Sequence, residues 1–153
     1  MDTATHQIVR MTTMSMTASA RSTHGSPHHT IDVNGRHVIT TDTPNRLGGT
    51  DSAPAPHELL PAMLASCIST MIGMYARARD WQPLDATVDV EYDPQAIPRH
   101  IHTTVNLPDG LTPDQVARLR RVAETCPAKH ALEIGFTFEQ QFVLHQPSAA
   151  TAA

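Results

Sequence analysis

The chain has 153 residues, 40% of them hydrophobic and 17% charged, which suits one domain of common size with a core of its own. Eleven Lys and Arg against fifteen Asp and Glu give a formal charge of −4, aromatic residues make up only 4%, and no basic block is longer than Arg120-Arg121, so nucleic acid is not an expected partner. The two cysteines, Cys67 and Cys126, form no C-x-x-C, which rules out a disulfide-rich secreted scaffold and a four-cysteine zinc site.

The N-terminal "MDTATHQIVRMTTMSMTASA" has an early Asp2 and no continuous apolar run, so it does not read as a secretory signal. Every apolar run of membrane-spanning length is interrupted by Pro, Ser or Thr, and the expectation is a soluble, cytoplasmic protein with no membrane partner. One domain is expected over residues 1–145, with 146–153 a frayed tail.

From Ile8 to Ser19 the partial alternation of Thr, Met and Val predicts a strand. "HHTIDVNGRHVITTD" predicts a hairpin about Asn34-Gly35, the strongest short hairpin signal in the chain. "TPNRLGGTDSAPAP" follows as a loop, because its Pro, Gly, Asn and Asp favour turn conformations. It leads into a predicted helix from about His57 to Arg79, in which Pro61 must lie in the first turn, where its missing N–H costs nothing. Apolar residues lie almost all the way round this helix: Leu60, Leu64, Cys67, Met71 and Met74 share one stripe, and Leu59, Met63, Ile68, Ile72 and Tyr75 broaden it. It is expected to be buried.

"DATVDVEYD" alternates Ala86, Val88, Val90 and Tyr92 against Thr87, Asp89 and Glu91, a half-buried strand with "RHIHTTVNL" as its antiparallel neighbour. "LTPDQVARLRRVAET" has a cap at Thr112 and Pro113 at the first helical position, with Val116, Leu119, Val122 and Ala123 on one face. Pro127 starts a second short helix, "CPAKHALEI", with Cys126 at its N-terminus, and "FTFEQQFVL" is expected to be a last strand. The order βββ-α-ββ-α-α-β predicts an α+β fold.

A thiol must ionise to act as a nucleophile. Cys67 lies too far into its helix for the dipole to help, and Arg77 and Arg79 are ten and twelve residues away, roughly 15–18 Å at about 1.5 Å per residue. Any activation must come from another segment. Cys126, beside Lys129 and His130 at a helix start, is better placed. By spacing alone, two buried packing residues and a redox pair both remain open. The ten histidines, including His28-His29 and His100-x-His102, form no compact ligand motif with either thiol, so no metal is expected. His57, at the helix start, reads as a solvated residue or as a hydrogen-bond partner for Glu58.

"GGTDSAPAPHELLPAMLASC", the apolar helix that follows it and "LTPDQVARLRRVAETCPAKHAL" together resemble the OsmC/Ohr family, the osmotically inducible and organic hydroperoxide resistance proteins, and more closely its OsmC-like branch. The resemblance covers about Leu47 to Leu132. It implies an intertwined homodimer of α+β subunits with the long cysteine-bearing helix buried at the centre, and thiol-dependent reduction of organic hydroperoxides without metal or other cofactor. Cys67 would be the peroxidatic nucleophile and Cys126 the resolving thiol, with a dithiol reductant, a lipoylated protein in several relatives, returning the electrons. It also implies an arginine from the N-terminal strands held by a glutamate near the start of the helix. Arg21 is the candidate, with Arg36 and Arg46 as alternatives. The glutamate's usual position, ten before the cysteine, is His57 here, while Glu58 matches the branch's E-L-L glutamate. Leu60, Met63, Leu64 and Met71 would line a pocket for alkyl hydroperoxides. The alternative reading is a non-catalytic dimer that binds a small apolar ligand.

Overall fold

The computed structural model describes residues 16–22, 24–81 and 84–144. The chain divides into two compact units at Leu60/Pro61. The expected strand from Ile8 to Ser19 lies mostly outside the described residues, as does the expected tail.

The first unit holds an antiparallel sheet of β1 (Ala18–Arg21), β2 (His29–Val33) and β3 (His37–Thr41), in that order. The hairpin at Asn34-Gly35 forms as expected: both residues have positive φ, 56° and 64°, the backbone of a primed turn. Arg36 N–H donates to Val33 C=O, Gly35 N–H to the Asp32 carboxylate, and the ladder resumes with His37 opposite Val33. Asn34 also ties in β1, accepting from Thr17 N–H at 2.8 Å and donating its own N–H to Thr17 C=O at 2.9 Å.

After β3 the buried Asp42 organises the loop. Its carboxylate accepts from Thr43 N–H, from Thr50 N–H and hydroxyl, and from Ser52 N–H and hydroxyl, at 2.7–3.1 Å. These donors, led by the Thr50 hydroxyl, hold its pKa well below the usual carboxylate range. Within the loop, residues Asn45–Leu47 form a 3-10 turn capped by Gly48 in the left-handed region, φ 85°.

α1 runs Leu59–Arg77 behind a 3-10 turn, Pro56–Glu58, so the α-helix proper is two residues shorter at each end than expected and Pro61 falls in its first turn. Its burial differs from expectation. Leu64, Ile68, Ile72 and Ala76, each four residues after the last, form the buried stripe, whereas Met63 and Met74 are 47% and 62% exposed. A helix apolar all round has one face covered and another left open. By length and mean hydropathy (1.6) residues 56–77 would also pass as a membrane span. The buried stripe instead packs on elements of its own unit, as the core helix of a folded domain does.

In that second unit β4 (Thr87–Tyr92) and β5 (Ile101–Asn106) pair antiparallel as expected, Val88 opposite Val105 and Val90 opposite Thr103. The half-buried face of β4 carries Val88, Val90 and Tyr92. α2 (Pro113–Glu124) has the expected cap at Thr112, whose hydroxyl accepts from Gln115 N–H while the Gln115 side chain accepts from Thr112 N–H. α3 spans Pro127–Ile134. Leu64, Ile68, Ile72, Leu119 and Cys126 form the core, each large aliphatic side chain contributing about 1.5–3 kcal/mol on burial.

The expected last strand is absent: residues 136–144 pair with no strand and are exposed throughout, Phe138 at 89% and Leu144 at 95%. Alternation makes a segment fit for a sheet, but hydrogen-bonded partners make it a strand, and none lies beside it among the described residues.

Candidate redox site

Two local features bring the thiols together. Cys67 stands one position before Ile68 of the buried stripe, at the edge of the covered face of α1, which leaves it half-buried. Cys126 occupies the elbow between α2 and α3. Thr125 N–H closes the last turn of α2 on Arg121 C=O, and Pro127, which cannot donate, restarts the helix. A residue before proline is driven from the helical region, and Cys126 has φ −58° and ψ 123°. The elbow turns its side chain into the core, where it is 0% exposed.

The two Sγ atoms lie 3.1 Å apart across a sequence separation of 59 residues, and both are free thiols. A disulfide spans about 2.05 Å, so bonding asks for roughly 1 Å of approach. The Cys67 thiol is pushed above the ordinary thiol range, chiefly by hydrogen bonding with Cys126 and then by burial, while the Ala128 amide at the start of α3 acts in the opposite sense. The arrangement suits dithiol–disulfide chemistry. A sulfenic acid formed on one sulfur would meet the second thiol at once and lose water to close the disulfide.

The other expected site residues lie as follows. Arg21 ends β1, opposite Thr30 and exposed; Arg36 sits in the hairpin turn and Arg46 in the 3-10 turn, both exposed. Glu58 turns back so that its carboxylate accepts Ala55 N–H at 2.8 Å, a helix-start capping contact. His57 is exposed. Leu64 belongs to the core, Leu60 and Met71 are half-buried, and Met63 is open. Lys129 is paired with Glu133. Among the described residues no group of three His, Cys, Asp or Glu could hold a metal ion.

Two features escaped the sequence reading. One is Asp42, whose signal was the run of Thr, Ser, Asn and Gly after it, all ready donors to a carboxylate. The other is a half-open cavity of about 330 Å³ lined by Ile68, Val105, Leu107, Val116 and Leu119, with Arg120 and Lys129 at its polar side. It joins residues far apart in sequence, and no local pattern announces it.

The family profile described as OsmC-like protein matches residues 49–140. No curated protein matches the chain. An osmotic stress induced and detoxification response protein from Psychrobacter arcticus 273-4 has a similar structure, with a TM-score of 0.62 and 26% identity over 76% of this chain and 87% of its own. An organic hydroperoxide resistance protein from Elizabethkingia anophelis, with thiocyanate bound, shares the fold at a TM-score of 0.55 and 19% identity over 78% and 89% of the two chains. An OsmC-like protein from Mycoplasma pneumoniae does so at 0.54 and 18%, over 78% and 87%. The profile runs from the loop before α1 to beyond α3, more than half of the sequence and both thiols included, and the chain therefore belongs to the OsmC-like protein family.

Proposed function

We propose that the protein is a thiol-dependent peroxidase that reduces organic hydroperoxides. The observation that carries the reading is the 3.1 Å approach of Cys67 and Cys126, a half-exposed sulfur backed by a buried one. The Cys67 thiolate attacks the distal peroxide oxygen, the O–O bond breaks, the alkoxide leaves and takes a proton from water to become the alcohol, and Cys67 is left as a sulfenic acid. Cys126 then displaces water to give the disulfide, which a dithiol, in the manner of a lipoylated protein, reduces. The family resemblance assigns stabilisation of the thiolate and the developing charge to an arginine held by a carboxylate, and the candidates for those roles are Arg21 and Glu58. The Cys67 pKa is raised, chiefly by hydrogen bonding with Cys126, and a cation acts in the opposite sense by favouring the thiolate.

A second copy of the chain completes the molecule. Exposed Met63 and Met74 on α1, and Phe136, Phe138, Phe142 and Leu144 beyond α3, are apolar side chains of the kind a homodimer interface covers. Sedimentation should give a dimer.

The test is stopped-flow reaction of the pre-reduced protein with cumene hydroperoxide, then peptide mapping, in wild type, Cys67→Ser, Arg21→Ala and Glu58→Gln. Fast loss of both thiols into a Cys67–Cys126 disulfide, absent in Cys67→Ser and slowed in the other two, is expected. Thiols that survive equimolar hydroperoxide for minutes would make the protein a binder of apolar ligands instead.

A further inference from the structure

The separation of the two sulfurs also selects what can bridge them. We propose that the reduced Cys67–Cys126 pair is a chelating site for trivalent arsenicals, the class of arsenite and monosubstituted arsine oxides. It rests on the same thiols as the peroxidase reading but not on their reactivity with peroxide.

Tetrahedral zinc, with Zn–S near 2.3 Å, holds two sulfurs roughly 3.8 Å apart and asks for two more ligands. The thiols stand at 3.1 Å, and among the described residues no third His, Cys, Asp or Glu joins them. A linear two-coordinate ion separates its sulfurs further still, by twice the metal–sulfur bond. Trivalent arsenic bonds through nearly orthogonal p orbitals, so its two sulfurs sit close to contact distance and no further protein ligand is needed. The 3.1 Å separation fits that bite.

Access agrees with the same centre. Cys126 is wholly buried and Cys67 half-buried, so arsenic arrives on the Cys67 side and its third substituent stays directed outward. In the condensation two As–S bonds replace two As–OH bonds, each thiol proton leaves with a hydroxide as water, and arsenic stays trivalent. No oxidant or reductant takes part.

The experiment is titration of the reduced protein with phenylarsine oxide, read by intact mass and free-thiol count. One equivalent should remove both thiols and give one adduct, reversed by 2,3-dimercaptopropanol and not by glutathione. Cys67→Ser and Cys126→Ala should each bind about 10²-fold more weakly or worse, because the second sulfur binds intramolecularly. Wild type oxidised beforehand with diamide, which needs no substitution in the core, should take up none. No adduct, an adduct that leaves one thiol titratable, or single-cysteine variants of unchanged affinity would overturn the proposal. Capture of the arsenical without peroxide turnover would count against the peroxidase alone, and turnover without capture against this site alone.

Discussion

Joining Cys67 to Cys126 should stabilise the protein by about 4 kcal/mol. The bond would close a loop across a separation of 59 residues, and the chain-entropy relation for cross-links gives a loss of about 14 cal/mol/K from the unfolded ensemble, or about 4.2 kcal/mol at 25 °C. The native state concedes little in return, because the sulfurs already stand at 3.1 Å and Cys126 lies in an elbow rather than inside a helix. The assay is urea unfolding of the reduced and the diamide-oxidised protein at one protein concentration, so that any dimer contributes equally to both, with intact mass confirming the redox state. An oxidised form less than about 1 kcal/mol more stable would refute the reasoning. Closing the bond would then strain the α2–α3 elbow by nearly as much as the loop entropy supplies, and the pair would be poorly arranged for a resolving step.

Leu119→Ala, at a side chain 1% exposed on α2, should cost about 2–5 kcal/mol in the same unfolding assay, while Leu47→Ala, on an exposed loop, should cost less than about 0.5 kcal/mol. Gly49→Ala would place a Cβ 1.9 Å from the Thr43 carbonyl oxygen, so backbone must move; a loss of at least about 1–3 kcal/mol is expected, whereas an unchanged midpoint would mean the loop is not held as the Asp42 hydrogen bonds imply. The Cys67 thiol, raised above its ordinary range, binds its proton more tightly in the folded state. Its contribution to stability is therefore full below the unfolded pKa and lost as pH rises through the folded one. The Cys67 part of the thiolate absorbance at 240 nm, taken as wild type minus Cys67→Ser, should accordingly appear at higher pH than in a free cysteine, and Cys126→Ala, which removes the largest cause, should bring it down.

The sequence made the local elements legible wherever the signal was itself local. Thr112 and Pro113 set the start of α2, Asn34-Gly35 the hairpin, and the Val88–Val90–Tyr92 alternation a strand with one half-buried face. It failed for residues 136–144, because strand identity depends on partners that alternation cannot supply. α1 shows the same limit. An all-round apolar helix is legible as one that must be covered, but which four residues meet the core depends on where α2 and the β4–β5 pair arrive. The meeting of the thiols was legible only through the family motifs, since two cysteines 59 residues apart carry no spacing rule.

Geometry and activation at the thiol pair have separate origins. The elbow at Pro127 and the buried stripe of α1 fix where the sulfurs lie, and both follow from packing within one unit. Ionisation of Cys67 does not follow from that packing: α1's own dipole has faded by its third turn, burial and the neighbouring thiol raise the pKa, and the Ala128 amide only partly opposes them. On the proposed peroxidase reading the activating charge therefore comes from outside that packing. Substitutions of Arg21 should then slow the first step with peroxide and leave the rate of disulfide closure unchanged, whereas substitutions in the elbow should do the reverse. A single rate constant that moved together in both sets would mean that the thiolate is made and consumed by one and the same set of contacts.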